Sequence, residues 1–469
     1  MKPFKLDQTS QIAFGLDLFY TPIALNNKAF LDAVKLSKHP VSVSIAIERN
    51  QEQISTYDTI IFHEEEEQFQ ANYMYIERLI KSLIWIKGGW KIIFGGPQRI
   101  GKRILKAYTK DGERSFDALF MEKVYEKKFT VELTTSATVP RTKEVSTSIG
   151  RHLDGCRIGF DAGGSDRKVS AVIEGIDIYS EEIVWNPKLH ADPNYHYEGI
   201  LSSMRTAASK MPRVDGIGVS SAGIYIDNRI MAASLFIKVP DDVFNLQVKN
   251  MFIDIAHEMG DVPIEVANDG DVTALAGAMN LNATKVLGIA MGTSQAAGYV
   301  DHLGNITGWL NELAFVPVDY NKKSMIDPWS KDYGCGVNYL SQDAVIKLSI
   351  EAGIIFEESM TPAEKLKEVQ MLLEKDDTRA ERIFDMIGLY LGYSIANYSA
   401  FYDIEKVLVL GRVTSGKAGN RLIKIANKIL QTEFSNLSNI EIILPDEKNR
   451  RVGQSIAAAS LVEIKKVTK

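Results

Sequence analysis

The sequence has few cysteines and no recognisable export signal. Only Cys156 and Cys335 occur among its 469 residues, and two cysteines cannot build the disulfide framework of a small secreted domain. The segment 1–7 lacks the apolar core of a signal peptide. We therefore expect a protein of the reducing cytoplasm.

Long apolar runs and an excess of positive charge are missing as well. The longest apolar stretch, 79–94, is interrupted by Lys81, Lys87 and Lys91, so no membrane-spanning segment is expected. Lys and Arg together number 54 and Asp and Glu number 60, which leaves a net charge of −6. This balance does not favour nucleic acid as a partner.

Residues 1–150 form one region with mixed secondary-structure patterns. Apolar runs predict strands at 41–47, 91–94 and 128–133. The spacing of Ile, Leu and Trp predicts a helix at 73–86. We interpret this region as α+β, because it has neither helix-turn-helix periodicity nor a basic recognition helix. The polar segment 134–148 has the composition of a linker.

One segment of this region, 96–103, nearly matches a phosphate-binding P-loop. It follows a predicted strand and precedes a predicted helix, as a P-loop does. However, Arg103 occupies the position of the Ser or Thr that contacts Mg²⁺, and Pro97 has no N–H group to offer a phosphate. A strand–helix turn with a basic first helical turn is the better interpretation, and a true P-loop is the alternative.

Beyond Cys156, two similar segments lie about 130 residues apart, at 157–165 and 286–294. Each consists of an apolar run, a turn of small residues and a second apolar run, which predicts a β-hairpin with a tight turn. A duplicated hairpin suggests two facing lobes whose backbone N–H groups hold a phosphate chain. Nucleotide-dependent phosphoryl transfer is therefore the leading hypothesis.

The remaining patterns after Cys156 alternate between strands and helices, which favours an α/β architecture. Strands are predicted at 157–162, 168–176, 182–185, 214–221, 264–269, 406–410 and 440–444. Helices are predicted at 197–209, 244–260, 271–279, 361–373, 379–401, 420–430 and 454–466.

Five features fall at the strand ends or turns of this body, where ligand sites usually lie. They are Asp161-Ala-Gly-Gly-Ser165, Asn268-Asp269, Gly292-Thr293-Ser294, Asn311-Glu312 and the segment Gly411 to Gly416. A kinase that acts on a hydroxyl needs a phosphate cradle, a carboxylate for Mg²⁺ and a carboxylate base. The two hairpin turns could supply the cradle. Asp161 could hold Mg²⁺ through water, and Asp269, between a strand and a helix, is the candidate base.

At these residues the chain resembles the ROK family, which comprises sugar kinases and related transcriptional repressors of the actin-like ATPase superfamily. The resemblance covers about 156–469. Asp161-Ala-Gly163-Gly164-Ser165 is similar to the family's first phosphate motif, and Met291-Gly292-Thr293 is similar to its second. Glu265-Val-Ala-Asn268-Asp269 is similar to the segment that carries the catalytic base, and Asn311-Glu312 to a segment that contacts the sugar.

The resemblance implies a two-lobed α/β fold of the actin-like ATPase (ribonuclease H-like) type that closes on ATP, Mg²⁺ and a hexose. We expect an additional N-terminal α+β region at 1–150, a first lobe at 151–280 and a second lobe at 281–469, with the final helix returning to the first lobe. A homodimer is a family expectation. The implied nucleotide-binding residues are Asp161, Gly163, Gly164, Ser165, Gly292, Thr293, Gly411 and Gly416. The implied sugar-binding residues are Asn268, Glu312 and Gln342, with Asp269 as the base.

The chain also departs from the family pattern. Phe315 replaces a family histidine, and only Cys335 remains of the three cysteines in the family's zinc segment, so no zinc site is expected. Gln342 replaces a sugar-binding glutamate. Other changes in the glycine-rich turns are Ser294, Ala296 and Arg412. The alternative hypothesis is therefore a catalytically weak protein of the same fold that binds a sugar or nucleotide and acts as a regulator.

Overall fold

The computed structural model describes residues 3–12, 14–63, 66–144, 148–445 and 447–464, with only the backbone described at 66 and 447–452. Three four- or five-stranded sheets and one two-stranded hairpin organise the described chain. No helix within these ranges is long and apolar enough to cross a membrane.

The N-terminal region is a four-stranded sheet with helices. Its helices are α1 (Ile23–Lys35), α2 (Phe69–Lys87), α3 (Gln98–Ala107) and α4 (Ser115–Tyr125). Its strands are β1 (Val41–Glu48), β2 (Ile54–Ile61), β3 (Lys91–Gly95) and β4 (Thr130–Thr134). The strand order is β2-β1-β3-β4, and only β3 and β4 are parallel. This arrangement agrees with the α+β interpretation.

The first lobe follows, and it is built on a five-stranded sheet with the order β11-β8-β5-β6-β7. Its strands are β5 (Cys156–Ala162), β6 (Asp166–Ile173), β7 (Ile176–Val184), β8 (Gly216–Ser221), β9 (Ile224–Ile226), β10 (Arg229–Ala232) and β11 (Ile264–Asn268). Its helices are α5 (Pro193–Ala208), α6 (Asp241–Val243) and α7 (Met251–Glu258), with a π-helical turn at Phe244–Val248. The strands β5, β8 and β11 are parallel, so their carboxyl ends meet at one edge.

The second lobe carries the sheet β13-β12-β14-β15. Its strands are β12 (Val286–Met291), β13 (Gln295–Val300), β14 (Lys406–Leu410) and β15 (Glu441–Ile443). The helices from Asp269 onward are α8 (Asp269–Asn280), α9 (Gln342–Glu351), α10 (Pro362–Glu374), α11 (Thr378–Tyr398), α12 (Lys417–Glu433) and α13 (Glu447–Ala459). The last helix, α13, packs on α8 and on β5 and β8 of the first lobe.

The apolar cores show how these parts are joined. The N-terminal sheet and α2 share one continuous core with β12, β14 and the helices α9, α11 and α12. The first-lobe sheet has a separate core, which includes Phe160, Trp185 and Phe252. A third cluster surrounds α8 and α13 between the two lobes. The N-terminal region is therefore built onto the second lobe by apolar burial.

The two predicted hairpins are both present, as β5–β6 and β12–β13. The prediction of the final helix was wrong at its end, because α13 stops at Ala459 and not at 466. Several elements were not predicted, among them β2. The turn before β2 contains Gln51 and Glu52 in left-handed conformations, so the glycine signal that usually marks such a turn is missing there.

Candidate functional site

The first small-residue turn lies at the carboxyl end of β5, as the sequence predicts. Asp161 is the penultimate residue of β5, and Ser220 Oγ on β8 donates a hydrogen bond of 2.9 Å to its Oδ1. Burial raises the pKa of Asp161 to about 6, and the charge of Asp269 acts in the same direction. A Cβ built on Gly164 would meet only Lys188 within 4 Å. The backbone of this turn is therefore open to close approach by a ligand.

The same turn is fixed from outside by an aromatic side chain. Trp185 donates its indole N–H to Gly163 O (2.8 Å) and its backbone N–H to Ser165 O (3.1 Å). Ser165 Oγ in turn donates to Asp166 Oδ2 (3.2 Å). Trp185 is only 1% exposed, so these bonds hold the turn in one conformation.

Asn268 and Asp269 lie where β11 ends and α8 begins. Asn268 is the N-cap of α8: its Oδ1 accepts from Gly270 N (2.8 Å), and its Nδ2 donates to Gly223 O (2.7 Å). Gly223 has φ of 146°, and a Cβ there would lie 2.5 Å from Ala232 O, so only glycine fits. Burial raises the pKa of Asp269. The strand end and the cap together fix this carboxylate at the head of a helix.

The second small-residue turn joins β12 to β13, and residues from distant parts of the chain contact it. Gly292 O accepts from Gln342 N (2.9 Å), and Gly292 N donates to Ser294 O (2.9 Å). A Cβ on Gly292 would meet only Ser294 O, at 3.8 Å, so this turn is also open. Gly411 has φ of 97° and lies against Met291, whose carbonyl oxygen would be 2.3 Å from a Cβ there. Thr293 lies within this turn.

Gly416 has different surroundings. It has φ of 63° and precedes α12, and a Cβ on it would lie 2.6 Å from Glu374 Oε1. The next backbone N–H, that of Lys417, donates to the same oxygen (2.9 Å). Gly416 thus contacts the end of α10, whereas Gly411 contacts the second turn directly.

Asn311 and Glu312 are held by the end of α2 in the N-terminal region. The backbone N–H of Asn311 donates to Ile86 O and that of Glu312 donates to Trp85 O, both at 3.0 Å. Asn311 Nδ2 also donates to Asp271 Oδ1 (2.8 Å). Burial raises the pKa of Glu312 to about 7, and the charges of Asp269 and Asp271 contribute.

The residues around Asp161, Asn268-Asp269, Gly292 and Asn311-Glu312 form one cluster. Two of its residues were not singled out from the sequence. Asp271 is 5% exposed, and burial raises its pKa to about 7. It stands two residues after Asp269, and this spacing was the available signal. Gln295 pairs with Met291 in the hairpin, and its Oε1 is buried without a hydrogen-bond partner among the described residues. Gln342 Oε1 is unpartnered in the same way, so two acceptors remain free near the second turn.

A cavity of about 880 Å³ opens beside the cluster, where the N-terminal region meets both lobes. Asn268 and Asp271 line it from the cluster, Arg49 lines it from the N-terminal region, and Trp309 lines it from the second lobe. The N-terminal region therefore forms part of the wall next to Asn268.

The segment expected to have lost a zinc site is filled by other contacts. Phe315 stacks on Trp85, with ring centroids 4.1 Å apart. Cys335 is buried, and its nearest polar partners are Ser330 Oγ (3.7 Å) and Lys81 Nζ (3.8 Å). No group of three or more His, Cys, Asp or Glu side chains that could hold a metal ion occurs in the part of the chain that the structure describes.

The near-match to a P-loop forms the turn between β3 and α3. Pro97 is the N-cap of α3, and Gly101 lies inside the helix. A Cβ on Gly101 would lie 2.9 Å from Leu133 and 3.1 Å from Phe94. The glycine is therefore explained by close packing of the helix on its sheet, which agrees with the interpretation as a strand–helix turn.

Two hairpin-bearing lobes that face each other through α8 and α13 define the actin-like ATPase fold. The ROK family model matches residues 157–463, and the chain belongs to the ROK family. Among solved structures, it is similar to a ROK hexokinase from Thermus thermophilus, with 16% identity and a TM-score of 0.52 over 65% of this chain and 96% of that one.

The chain is also similar to a ROK family transcriptional regulator, a homologue of the E. coli MLC protein. The identity is 15% and the TM-score 0.50, over 66% of this chain and 79% of that one. No protein with a curated description matches the sequence. The expectations of family and fold are thus confirmed. The roles of the individual site residues remain predictions, because identities this low show the fold alone.

Proposed function

We propose that this protein is an ATP-dependent kinase that phosphorylates a hydroxyl group of a hexose or an amino sugar. The observation that carries the proposal is the environment of Asp269. This carboxylate stands at the junction of β11 and α8, it forms no ion pair within the described residues, and burial raises its pKa. Its neighbours Asn268 and Asp271 line the cavity, and a buried carboxylate left without a cation beside a cavity is typical of a functional group.

Asp269 is the proposed general base. The hydroxyl to be phosphorylated must lose its proton as its oxygen attacks, and a positioned carboxylate accepts that proton. A raised pKa makes the carboxylate a stronger proton acceptor once it is ionised. The N-terminus of α8 supports the ionised form. The Asn268 cap fixes the start of the helix, so the carboxylate stays in one position.

The two small-residue turns are the proposed phosphate cradle. A Cβ on Gly164 would meet only the Lys188 side chain, and a Cβ on Gly292 only Ser294 O, so a phosphate chain can approach the backbone of each turn. Asp161, in hydrogen-bond contact with Ser220, would hold Mg²⁺ through water. When bound, ATP with Mg²⁺ supplies the phosphoryl group that is transferred.

Asn268, Glu312 and Gln342 are the proposed sugar-binding residues. Gln342 Oε1 is a buried acceptor without a partner among the described residues, and a sugar hydroxyl would satisfy it. Glu312 is fixed through its backbone by the end of α2. A sugar that donates to Glu312 would favour its ionised form, against the burial that raises its pKa.

The test is transfer of phosphate from ATP with Mg²⁺ to a panel of hexoses and N-acetylhexosamines. Turnover on one sugar is expected, and Asp269→Asn should lower it by a factor of about 10² or more while the melting temperature is kept. Asp261→Asn, which changes a carboxylate that is 82% exposed, is the matched control. A fully active Asp269→Asn variant would refute the role of Asp269.

The second candidate is a regulator that binds a sugar or nucleotide with little turnover. Phe315 favours it, because its ring is packed against Trp85 where the family pattern has a histidine. Thermal stabilisation by a sugar or nucleotide without turnover on any sugar would support this candidate. The retained pair Asp161 and Asp269 argues for the kinase, since a binding protein has little need of a base.

A further inference from the structure

The segment that follows β7 is fastened to the first phosphate turn. Trp185 bonds to both Gly163 and Ser165, as described above. The carbonyl oxygen of Pro187 lies 3.0 Å from His196 Nε2 on α5, and this histidine is fully buried. The short turn Pro187–Leu189 is therefore held rigidly beside the loop, at a site that none of the family motifs includes.

Lys188 lies on the outside of this short turn. Its Nζ and Cε would each lie 3.4 Å from a Cβ built on Gly164. Within the described residues, the ammonium group forms no ion pair and no hydrogen bond. An exposed, unpaired cation thus lies directly over the open glycine of the first turn.

Three carboxylates lie around this turn. The charges of Asp269 and Asp166 both act to raise the pKa of Asp161. Two other cations lie nearby, and each has its own partners: Lys168 Nζ is 3.3 Å from Asp166 Oδ1, and Arg167 lies over the ring of Trp185 and donates to Ser203 Oγ. A phosphate chain that approaches this edge of the first lobe would meet carboxylates, and Lys188 carries the charge that could offset them.

We propose that Lys188 is a phosphate-binding residue, whose ammonium contacts the phosphate oxygens of a nucleotide seated on the turn Gly163–Ser165. The inference rests on the proposed function, which supplies the nucleotide. Lysine binds phosphate as a point charge with three donors, so it needs only a backbone held in place close to the phosphate. The hydrogen bonds of Trp185 and His196 hold the short turn Pro187–Leu189, which carries Lys188, in that position.

The experiment measures binding by calorimetry for three ligands: AMPPNP with Mg²⁺, ADP and adenosine. For Lys188→Met we expect about a tenfold or greater loss of affinity for AMPPNP, the effect of one hydrogen bond to a charged group. Affinity for adenosine should not change. Lys188→Arg should recover most of the AMPPNP affinity, because it keeps the charge.

Lys210→Met is the matched control. Lys210 is an exposed lysine of the same lobe, beyond the opposite end of α5, and its replacement should leave all three affinities unchanged. Equal affinity of wild type and Lys188→Met for AMPPNP would overturn the inference and leave the proposed function standing. An equal loss for adenosine would also overturn it, since that result indicates a distorted turn. Failure of the wild type to bind any adenine nucleotide would refute both.

Discussion

Two groups of buried carboxylates among the described residues differ in their charged neighbours: one is surrounded by cations and the other has none. Asp332, at the seam between the N-terminal region and the second lobe, lies 2.6 Å from Arg78 Nη1, 2.5 Å from Lys81 Nζ and 2.7 Å from Arg114 Nη1. Burial raises the pKa of Asp332, but the charges of Lys81, Arg78 and Arg114 outweigh it and hold the pKa well below its usual range.

The carboxylates of the candidate site, which is called the cleft from here on, have the opposite environment. Asp161, Asp269, Asp271 and Glu312 form no ion pair within the described residues, and burial raises the pKa of each. The seam and the cleft are connected, because Trp85, one helical turn beyond Lys81, holds the backbone of Glu312.

The difference shows what each set contributes. A buried charge with well-placed partners is tolerated, whereas one without partners costs stability. The seam places three cations around Asp332, two of which, Arg78 and Arg114, also pair with buried Glu77, and thereby joins two parts of the chain. The cleft leaves four carboxylates without cations, which costs stability and is the environment that the proposed kinase function requires.

The largest loss of stability is expected when Asp332 at the seam loses its charge. Asp332→Asn leaves three buried cations without their shared partner and should lower the free energy of unfolding by about 3–5 kcal/mol. Urea unfolding measures it. Asp403→Asn removes a carboxylate that is 70% exposed and pairs with Lys285, and should change stability by about 1 kcal/mol at most. Similar effects of the two variants would contradict the comparison.

The pH dependence of stability should have opposite signs for the two sets. Asp271 and Glu312 have pKa values of about 7, against about 4 when unfolded, so the native state binds more protons. The free energy of unfolding therefore rises as the pH falls from about 8 to about 5, by roughly 2–3 kcal/mol for each group.

The lowered pKa of Asp332 acts in the other direction. Its contribution is fully present above its unfolded pKa, near 4, and is lost as the pH falls further. The melting temperature should accordingly pass through a maximum near pH 5. Asp271→Asn, which keeps an acceptor for Tyr299 and Asn311, should flatten the alkaline side of this curve. A melting temperature that rises steadily up to pH 8 would rule out raised pKa values in the cleft.

A change from Asp to Asn in the cleft should leave the fold as stable as before or make it more stable, unlike Asp332→Asn. Asp269→Asn removes an unpaired buried charge, and we expect a gain of about 1 kcal/mol where Asp332→Asn causes a loss. Urea unfolding at pH 7 measures the difference. A loss above 2 kcal/mol for Asp269→Asn would mean that this carboxylate is structural.

The smallest effect is expected at an exposed ion pair. Glu126 in the N-terminal region contacts Arg229 Nη1 (2.6 Å) and Lys249 Nζ (2.5 Å) of the first lobe, and Glu126 is 42% exposed. Glu126→Gln should lower the free energy of unfolding by less than about 1 kcal/mol. The difference should disappear in 1 M salt. A loss that persists in high salt would show that this contact resembles the Asp332 cluster.

The sequence singled out Asp161 and Asn268-Asp269 because each falls at the end of a predicted strand. In the structure β5, β8 and β11 are parallel, so these residues lie at one edge of the first-lobe sheet. The resemblance implied that Gly292 and Gly411 both bind the nucleotide, and the strands that precede them, β12 and β14, are neighbours.

Contacts between distant elements could not be predicted. Nothing in the sequence around Trp185 or Lys188 indicates that Trp185 bonds to Gly163 or that Lys188 lies against Gly164. These contacts join two separate loops. The stacking of Phe315 on Trp85 joins residues that are far apart in the chain, and so escapes any analysis of periodicity.

The sequence by itself determined the two-lobed α/β class, the paired hairpins and the identity of the candidate base, because each depends on local patterns of apolar residues, glycines and strand ends. Only the tertiary structure decided that the N-terminal region shares a core with the second lobe, and which buried carboxylates have cations beside them. Burial and pairing depend on chain segments brought together from hundreds of residues apart, and they set both the pKa values and the stability.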